Sequence, residues 1–427
     1  MIGERGDGCG PDPGRVSLRT MAELGETLES QFGHSNFRPG QRVIVEDVLA
    51  GRDVVAVMPT GAGKSLCYQL PAVELEGTTL VVSPLISLMK DQVDSLNELG
   101  IQAAFVNSTQ NVGEQREILD RARSGELQLL YVAPERFRFE GAMSALQNLK
   151  ISRFIVDEAH CVSQWGHDFR PDYLNLRSAI EALGCPPVAA FTATATDLVR
   201  KDIAKHLGLD APEVHVSGFL RENLHLSVVP IKKMAHKLEH LQTILKNLDG
   251  SAIVYCATRR HCEEVTLALV QRGVDAAIYH GGLEDRERHA MQESFDRGDT
   301  RVMVATNAFG MGIDKADVRV VIHYDVPGSV EAYYQEAGRA GRDGETAHCV
   351  LLFTYADTRI HEFFIERGRD EVSSDRYEAW ANRERRKVRA MVRYAYEADC
   401  RHGEILNYFG ERMTLGDEGC GACDLCT

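Results

Sequence analysis

At 427 residues the chain is long enough for two or three domains, each of about 150 residues with its own apolar core. Its 48 Lys and Arg against 63 Asp and Glu leave a net charge of −15, which excludes a wholly basic nucleic-acid-binding surface and restricts such contact to a local groove. No apolar run approaches a membrane span and no signal peptide is recognisable, so a soluble intracellular protein is expected, its eleven cysteines serving as thiols or metal ligands rather than disulfides.

Residues 1–20 carry scattered Gly and Pro without periodicity and read as a disordered leader. From 21 to 212, apolar runs such as Thr79–Ser83, Leu129–Val132 and Val188–Phe191 alternate with helical stretches, the rhythm of an α/β domain on a parallel sheet. The segment Asp53-Val54-Val55-Ala56-Val57-Met58-Pro59-Thr60-Gly61-Ala62-Gly63-Lys64-Ser65 is a strand running through a Gly-containing loop into a helix. In the loop that starts at Pro59, the backbone N–H groups of Thr60, Gly61, Ala62 and Gly63 and the helix N-terminus can cradle phosphates, Lys64 can reach the β and γ oxygens, and the Ser65 hydroxyl can ligate magnesium. Met58 stands where the general pattern has its first glycine.

The apolar run Ile151–Val156 predicts a buried strand that delivers Asp157-Glu158-Ala159-His160 to its carboxyl end, where open α/β sheets bind ligands. The pair Asp157 and Glu158 suits magnesium and phosphate chemistry, and it equally suits a helix cap. The chain then runs directly into an aromatic loop with Gln164, Trp165, His167, Phe169 and Arg170. Trp165 and Phe169 offer faces to unstacked bases, while His167 and Arg170 can meet phosphates. A core role for the two aromatics fits less well, because Gly166, Asp168 and Pro171 break any apolar periodicity.

The α/β rhythm restarts at Ser251–Cys256 and continues through Arg301–Ala305, Val318–Ile322 and Cys349–Phe353, giving a second domain over 213–358 with no phosphate loop of its own. Its run Gln335-Glu336-Ala337-Gly338-Arg339-Ala340-Gly341-Arg342-Asp343-Gly344 contains two arginines, which are either phosphate-neutralising groups or a salt-bridged pair at a helix end. The basic stretch Arg383–Arg389 is either a phosphate-tracking stripe or a solvated helix face. Cys400 with Cys420, Cys423 and Cys426 can close a tetrahedral zinc site, although the same ligands can hold an iron–sulfur cluster. Such a metal would stabilise a small helical subdomain over 359–427.

Taken in order, the phosphate loop, the acidic box, Phe191-Thr192-Ala193-Thr194-Ala195 and Gln335–Gly344 resemble the motifs of superfamily 2 helicases. The aromatic loop, the early Phe32-Gly33-His34 with Phe37-Arg38-Pro39-Gly40-Gln41, and the cysteine cluster narrow the resemblance to the RecQ family over residues 24–426. It implies two tandem RecA-like parallel-sheet domains followed by a small helical zinc-binding subdomain, and it favours zinc over iron. It further implies hydrolysis of ATP with Mg2+, coupled to 3′ to 5′ translocation on single-stranded DNA and unwinding of partially duplex DNA, in recombination, repair and replication.

The implied roles are Lys64 on the β and γ phosphates, Ser65 and Asp157 on magnesium, Glu158 on the attacking water, and His160 with Gln335 in interdomain coupling. Arg339 and Arg342 would neutralise the γ-phosphate, Arg342 as the arginine finger, while His34, Arg38 and Gln41 would receive adenine. Tyr is common in the family where His34 stands here, and the smaller ring weakens base discrimination. Ser83–Gln92, Tyr131–Arg136 and Thr306–Lys315 match further DNA-facing motifs. A monomer is expected, in the cytoplasm and nucleoid of a bacterium or the nucleus of a eukaryote. The competing readings are an RNA-dependent ATPase, and a DNA-stimulated ATPase or annealing protein whose unwinding is weak because the family's winged-helix domain does not follow Thr427.

Overall fold

The computed structural model describes residues 21–59, 61–84, 86–163, 169–216, 218–310, 315–370, 372–411 and 419–427. Two compact units divide between Gly218 and Phe219. The first contains seven strands, β1 (Val54–Val57), β2 (Thr78–Val82), β3 (Ala103–Val106), β4 (Leu129–Val132), β5 (Ile151–Val156), β6 (Val188–Thr192) and β7 (Glu213–Val216). All pair in parallel in the order β3-β4-β2-β5-β6-β1-β7. Because β7 pairs with β1, the first sheet extends beyond residue 212.

The inner strands β1, β2 and β6 are continuous apolar or β-branched runs buried along their whole length, as a sheet covered by helices on both faces requires. Arg153 on β5 is buried and donates from Nε to the Val48 carbonyl (2.6 Å) and from Nη2 to that of Leu49 (2.9 Å). These bonds satisfy carbonyls at the C-terminus of the Gln41–Leu49 helix, which carries Gln41 at its start.

The second unit contains β8 (Leu224–Pro230), β9 (Ser251–Tyr255), β10 (Ala276–Tyr279), β11 (Val302–Ala305), β12 (Val318–His323) and β13 (Ala347–Phe353). They too are all parallel, in the order β10-β11-β9-β12-β13-β8. Beyond the sheet lie the helices Thr358–Arg367, Ser374–Tyr396 and Arg401–Phe409. The basic stretch falls on the Ser374–Tyr396 helix, where Arg385 pairs with Glu362 at 3.2 Å and Lys387 with Glu384 at 3.2 Å. Carboxylates are thus interleaved with that stripe.

Among the described residues no helix is long and apolar enough to cross a membrane. Nine cysteines among the described residues are free, including the four of the C-terminal cluster.

Candidate nucleotide site and metal centre

The phosphate loop follows β1, the acidic box follows β5, and the Phe191–Ala195 motif spans the end of β6. In the sheet β5, β6 and β1 are consecutive neighbours, and since all three are parallel their carboxyl ends share one edge. Sequence-distant motifs therefore arrive together. Thr60 in the phosphate loop lies outside the described residues.

Met58 is 1 % exposed and belongs to the core, and its N–H donates to the Thr192 carbonyl at 3.0 Å. The departure from glycine at that position thus packs its side chain beneath the loop. Gly61 and Gly63 adopt φ of 84° and 77°, and a Cβ on Gly63 would lie 2.4 Å from Gln41 Nε2, so side chains are excluded there. Gln41 holds the loop directly. Its Nε2 donates to the carbonyls of Ala62 (3.0 Å) and Gly63 (3.2 Å), and its Oε1 accepts from the Arg38 N–H at 2.8 Å. Arg38 adds a guanidinium bond to the Gly61 carbonyl. Both Nε2 donors of Gln41 are engaged by protein, while Oε1 keeps a second lone pair that can accept from the adenine amine. His34 is exposed and lies just beyond the helix that ends at Phe32.

Pro59 is buried, Ala62, Lys64 and Ser65 are partly buried, and the Leu66–Glu74 helix begins directly after Ser65. The charge of Lys64 is felt at Asp157 across the sheet edge. Burial, followed by the neighbouring Glu158 carboxylate, pushes the Asp157 carboxyl up to about 7 against the opposing pull of Lys64, the Glu158 N–H and His160. A carboxylate in such surroundings is suited to a divalent cation, which supplies the missing positive charge. Asp157 is itself well placed. Its N–H donates to the Val82 carbonyl at 2.9 Å, its Oδ1 accepts from the Glu158 N–H at 2.9 Å, and the Tyr173 hydroxyl donates to its carbonyl at 3.0 Å.

Glu158 has φ 47° and ψ 46°, a left-handed conformation uncommon for a residue with a side chain and typical of functional sites when it occurs. This strained link turns the chain sharply at the strand end. His160 is buried, with Nδ1 at 2.9 Å from Thr192 Oγ1 and 3.3 Å from Glu158 Oε2. The acidic box is thereby joined to the Phe191–Ala195 motif within one unit. The sequence offered no sign of the Thr192 partnership, because nothing in the spacing of residues 160 and 192 marks them as neighbours.

Gln164, Trp165 and His167 of the aromatic loop lie outside the described residues. Its C-terminal stem is described. Phe169 is partly buried, and Arg170 donates from its N–H to Cys161 O at 2.9 Å and from Nη1 to Pro84 O at 3.0 Å. Arg170, expected to meet a phosphate, thus links the loop to the Ser83–Gln92 motif.

In the second unit Gln335 sits partly buried on the Val330–Ala337 helix, and Arg339 and Arg342 follow it. Arg339 bonds the Gly310 carbonyl. Both guanidiniums act on the Tyr255 hydroxyl, which burial nevertheless holds well above its ordinary range and which donates to the Phe309 carbonyl at 2.8 Å. Both arginines therefore lie within electrostatic reach of one buried hydroxyl, and Arg339 is held by backbone.

The four C-terminal cysteines converge, with their Sγ atoms all within 4.8 Å of one another. Tetrahedral zinc with Zn–S bonds of about 2.3 Å separates its sulfurs by roughly 3.8 Å, so the cluster fits such an ion. The Gly403 N–H donates to Cys400 Sγ at 3.3 Å and the Ala422 N–H to Cys420 Sγ at 3.4 Å, the amide support that metal-bound thiolates receive. The knuckle is also stitched to the sheet. Leu226 of β8 donates to Ala422 O at 3.0 Å and accepts from Asp424 N–H at 3.0 Å, while Asp424 accepts from Val228 N–H (2.9 Å) and from Arg401 Nε (2.8 Å).

Residues 38–202 match the DEAD/DEAH box helicase family, 236–344 the helicase conserved C-terminal domain, and 355–427 the RecQ zinc-binding family. "Probable ATP-dependent DNA helicase RecS" of Bacillus subtilis (strain 168) is 42% identical over 348 residues, covering 81% of this chain and 70% of that relative. The chain belongs to the RecQ family. It is likewise 42% identical over 402 residues to the ATP-dependent DNA helicase RecQ of Pasteurella multocida (strain Pm70), covering 94% of this chain. The chain spans 62% of the length of that relative and 66% of its RecQ counterpart from Bacillus subtilis. The fold is that of solved helicases such as MrfA bound to DNA and AMPPNP, with a TM-score of 0.64 at 21% identity over 82% of this chain and 52% of that one. The RecQ zinc-binding match and the converged thiols together identify the four cysteines as the zinc-binding cluster.

Proposed function

We propose that this chain hydrolyses ATP to translocate 3′ to 5′ along single-stranded DNA and to separate duplex DNA, acting where the cell keeps its DNA. The observation that carries this reading is the shared carboxyl edge of β5, β6 and β1, where Lys64, Asp157, Glu158 and the His160–Thr192 bond lie on adjacent strands. The strong likeness to RecQ helicases supplies the substrate class.

Ser65 and Asp157 would hold magnesium, which contributes positive charge at the phosphates. Lys64 binds the β and γ oxygens, and the backbone around Gly61 to Gly63, braced by Gln41 and Arg38, cradles the chain of phosphates. Glu158, turned by its left-handed backbone, orients the attacking water and accepts its proton. Arg342, with Arg339 beside it, neutralises charge developing on the γ-phosphoryl oxygens. Trp165 and Phe169 stack on bases, and because their loop continues from the acidic box, strand binding organises Glu158.

The test is an unwinding assay on a duplex with a 3′ single-stranded tail. Strand separation is expected with ATP and absent without it or with Lys64→Ala. Equal stimulation of ATP hydrolysis by single-stranded RNA and DNA would instead point to an RNA-dependent ATPase.

A further inference from the structure

The first residues of the second unit grip the turn that carries the two arginines. Arg221 Nη2 donates to the carbonyls of Ala340 (3.1 Å) and Gly341 (2.9 Å), with Nη1 3.5 Å from that of Gly338. Asn223 Nδ2 donates to the Gly341 (2.8 Å) and Glu345 (2.9 Å) carbonyls, and its own carbonyl accepts from Ala347 N–H at 2.9 Å. Two side chains thus bind the carbonyls of a turn 119 residues away from Arg221 in the chain.

The fit is close. Gly341 has φ 55°, and a Cβ there would lie 2.5 Å from Asn223 Nδ2 and 2.7 Å from Glu345 O, so the turn is shaped around the Asn223 amide. The gripping segment is itself fixed. Just ahead of it Phe219 stacks on Phe409 with ring centroids 4.4 Å apart, and its carbonyl accepts from the Tyr334 hydroxyl at 2.9 Å. From Gly338 to Gly344 the backbone is irregular, lacking the ladder of bonds that would orient a helix or strand. Backbone bonds tie its N–H groups, Gly341 to Val318 O at 2.9 Å and Asp343 to Ala316 O at 3.3 Å, while Arg221 and Asn223 are the side chains that hold its carbonyls.

We propose that Arg221 and Asn223 are positioning residues for ATP hydrolysis, clasping the 338–345 turn so that Arg339 and Arg342 project in one fixed direction. The proposal rests on the reading of these arginines as the groups that neutralise the γ-phosphate. A charged group displaced by about an ångström can lose up to 10²-fold of its effect on a transition state while ground-state binding is little changed. The clasp therefore acts on kcat.

The experiment uses the full chain with Arg221→Ala, Arg221→Lys, Asn223→Ala, Arg342→Ala and the Arg221→Ala/Arg342→Ala double variant. DNA-stimulated ATPase kcat and KM, affinity for a non-hydrolysable ATP analogue, and thermal melting are read for each. Arg221→Ala and Asn223→Ala are expected to lower kcat roughly 10- to 100-fold with analogue affinity within about twofold, and Arg221→Lys to recover part of the loss. In the Arg342→Ala background, Arg221→Ala should add less than about twofold, because both act through one group.

Parental kcat in Arg221→Ala and Asn223→Ala beside a large loss in Arg342→Ala overturns the clasp and leaves the arginine reading intact. A loss from Arg221→Ala that is equally large in the Arg342→Ala background also overturns it. Parental kcat in Arg342→Ala overturns the arginine reading and the clasp with it. Should Arg221→Ala fail to fold, Asn223→Ala, which removes the two Nδ2 bonds and the 3.3 Å bond that Asn223 Oδ1 accepts from Arg221 Nε, carries the same comparison.

Discussion

The carboxyl edge of the first sheet and the cysteine knuckle of the second unit both crowd polar atoms together, and they do so by different physical means. At the sheet edge, the positions of Lys64, Asp157 and His160 are dictated by neighbouring parallel strands, and their polar atoms find protein partners such as Thr192 and the Glu158 N–H. The knuckle from Cys420 to Cys426 has little apolar material. It is held by thiols converging within 4.8 Å and by a few bonds to β8. The sheet edge is therefore preformed, and its chemistry can be removed while its shape stays. In the knuckle the metal is part of the structure, and chemistry and shape are lost together.

The largest effect that separates the two regions is metal removal. Chelation is expected to release one zinc per chain and to forfeit binding free energy on the order of 10 kcal/mol, loosening the knuckle and its seat on β8 while hydrogen exchange of β1, β5 and β6 stays slow. Iron with a visible charge-transfer band in elemental and optical analysis would overturn the zinc assignment. Lys64→Ala should do the opposite, costing roughly 10²- to 10³-fold in ATP hydrolysis with a melting temperature near that of the parent. A large fall in melting temperature would show that the phosphate loop is not preformed.

Asp157 sharpens the contrast further. Its carboxyl is raised in the folded protein to about 7, so it favours folding most below the ordinary carboxyl range, and that contribution is lost as pH climbs through 7. In the nucleotide-free protein, Asp157→Asn should abolish hydrolysis and flatten the fall in stability between about pH 4 and pH 7, as measured by chemical denaturation across that range. An unchanged pH profile would count against a strained, cation-seeking carboxylate. Trp165→Ala is expected to retain ATP affinity and to lose DNA-stimulated hydrolysis, with about 1–3 kcal/mol of stacking removed from strand binding. Unchanged stimulation in a steady-state assay would remove the sensor role from that loop. The smallest effect is expected for Asp424→Ala, which unties Val228 and Arg401 from the knuckle at a cost of about 1–3 kcal/mol in melting experiments, with zinc content unchanged.

Legibility in the sequence followed burial. The runs Leu129–Val132 and Ile151–Val156 read as strands and are strands with those limits, because parallel strands covered on both faces have continuous apolar sequences. The four strands without such a signal, β3, β7, β8 and β10, are the edges of the two sheets. Glu213–Val216 is exposed or half-buried throughout, and Leu224–Pro230 interleaves polar residues, so neither offers a long apolar run. The motifs Gly61–Ser65 and Asp157–His160 were legible for another reason. Phosphate and metal chemistry demands particular atoms at short spacing along the chain, and such demands are written locally.

Residues that act through distant partners left no local mark. Gln41 holds Ala62 and Gly63 across 21 and 22 residues, and His160 meets Thr192 across 32. Arg221 reaches Gly341 across 120, and Leu226 seats Ala422 beside the metal ligands. By itself the sequence determined the α/β rhythm, the order of the motifs and the thiol set, since each depends on periodicity or on neighbours in the chain. Only the tertiary structure decided which motifs share an edge, that the Gln41 amide braces the loop, and that Arg221 and Asn223 clasp the arginine turn. Those relations depend on strand order and on backbone carbonyls, which every residue carries and no sequence pattern distinguishes.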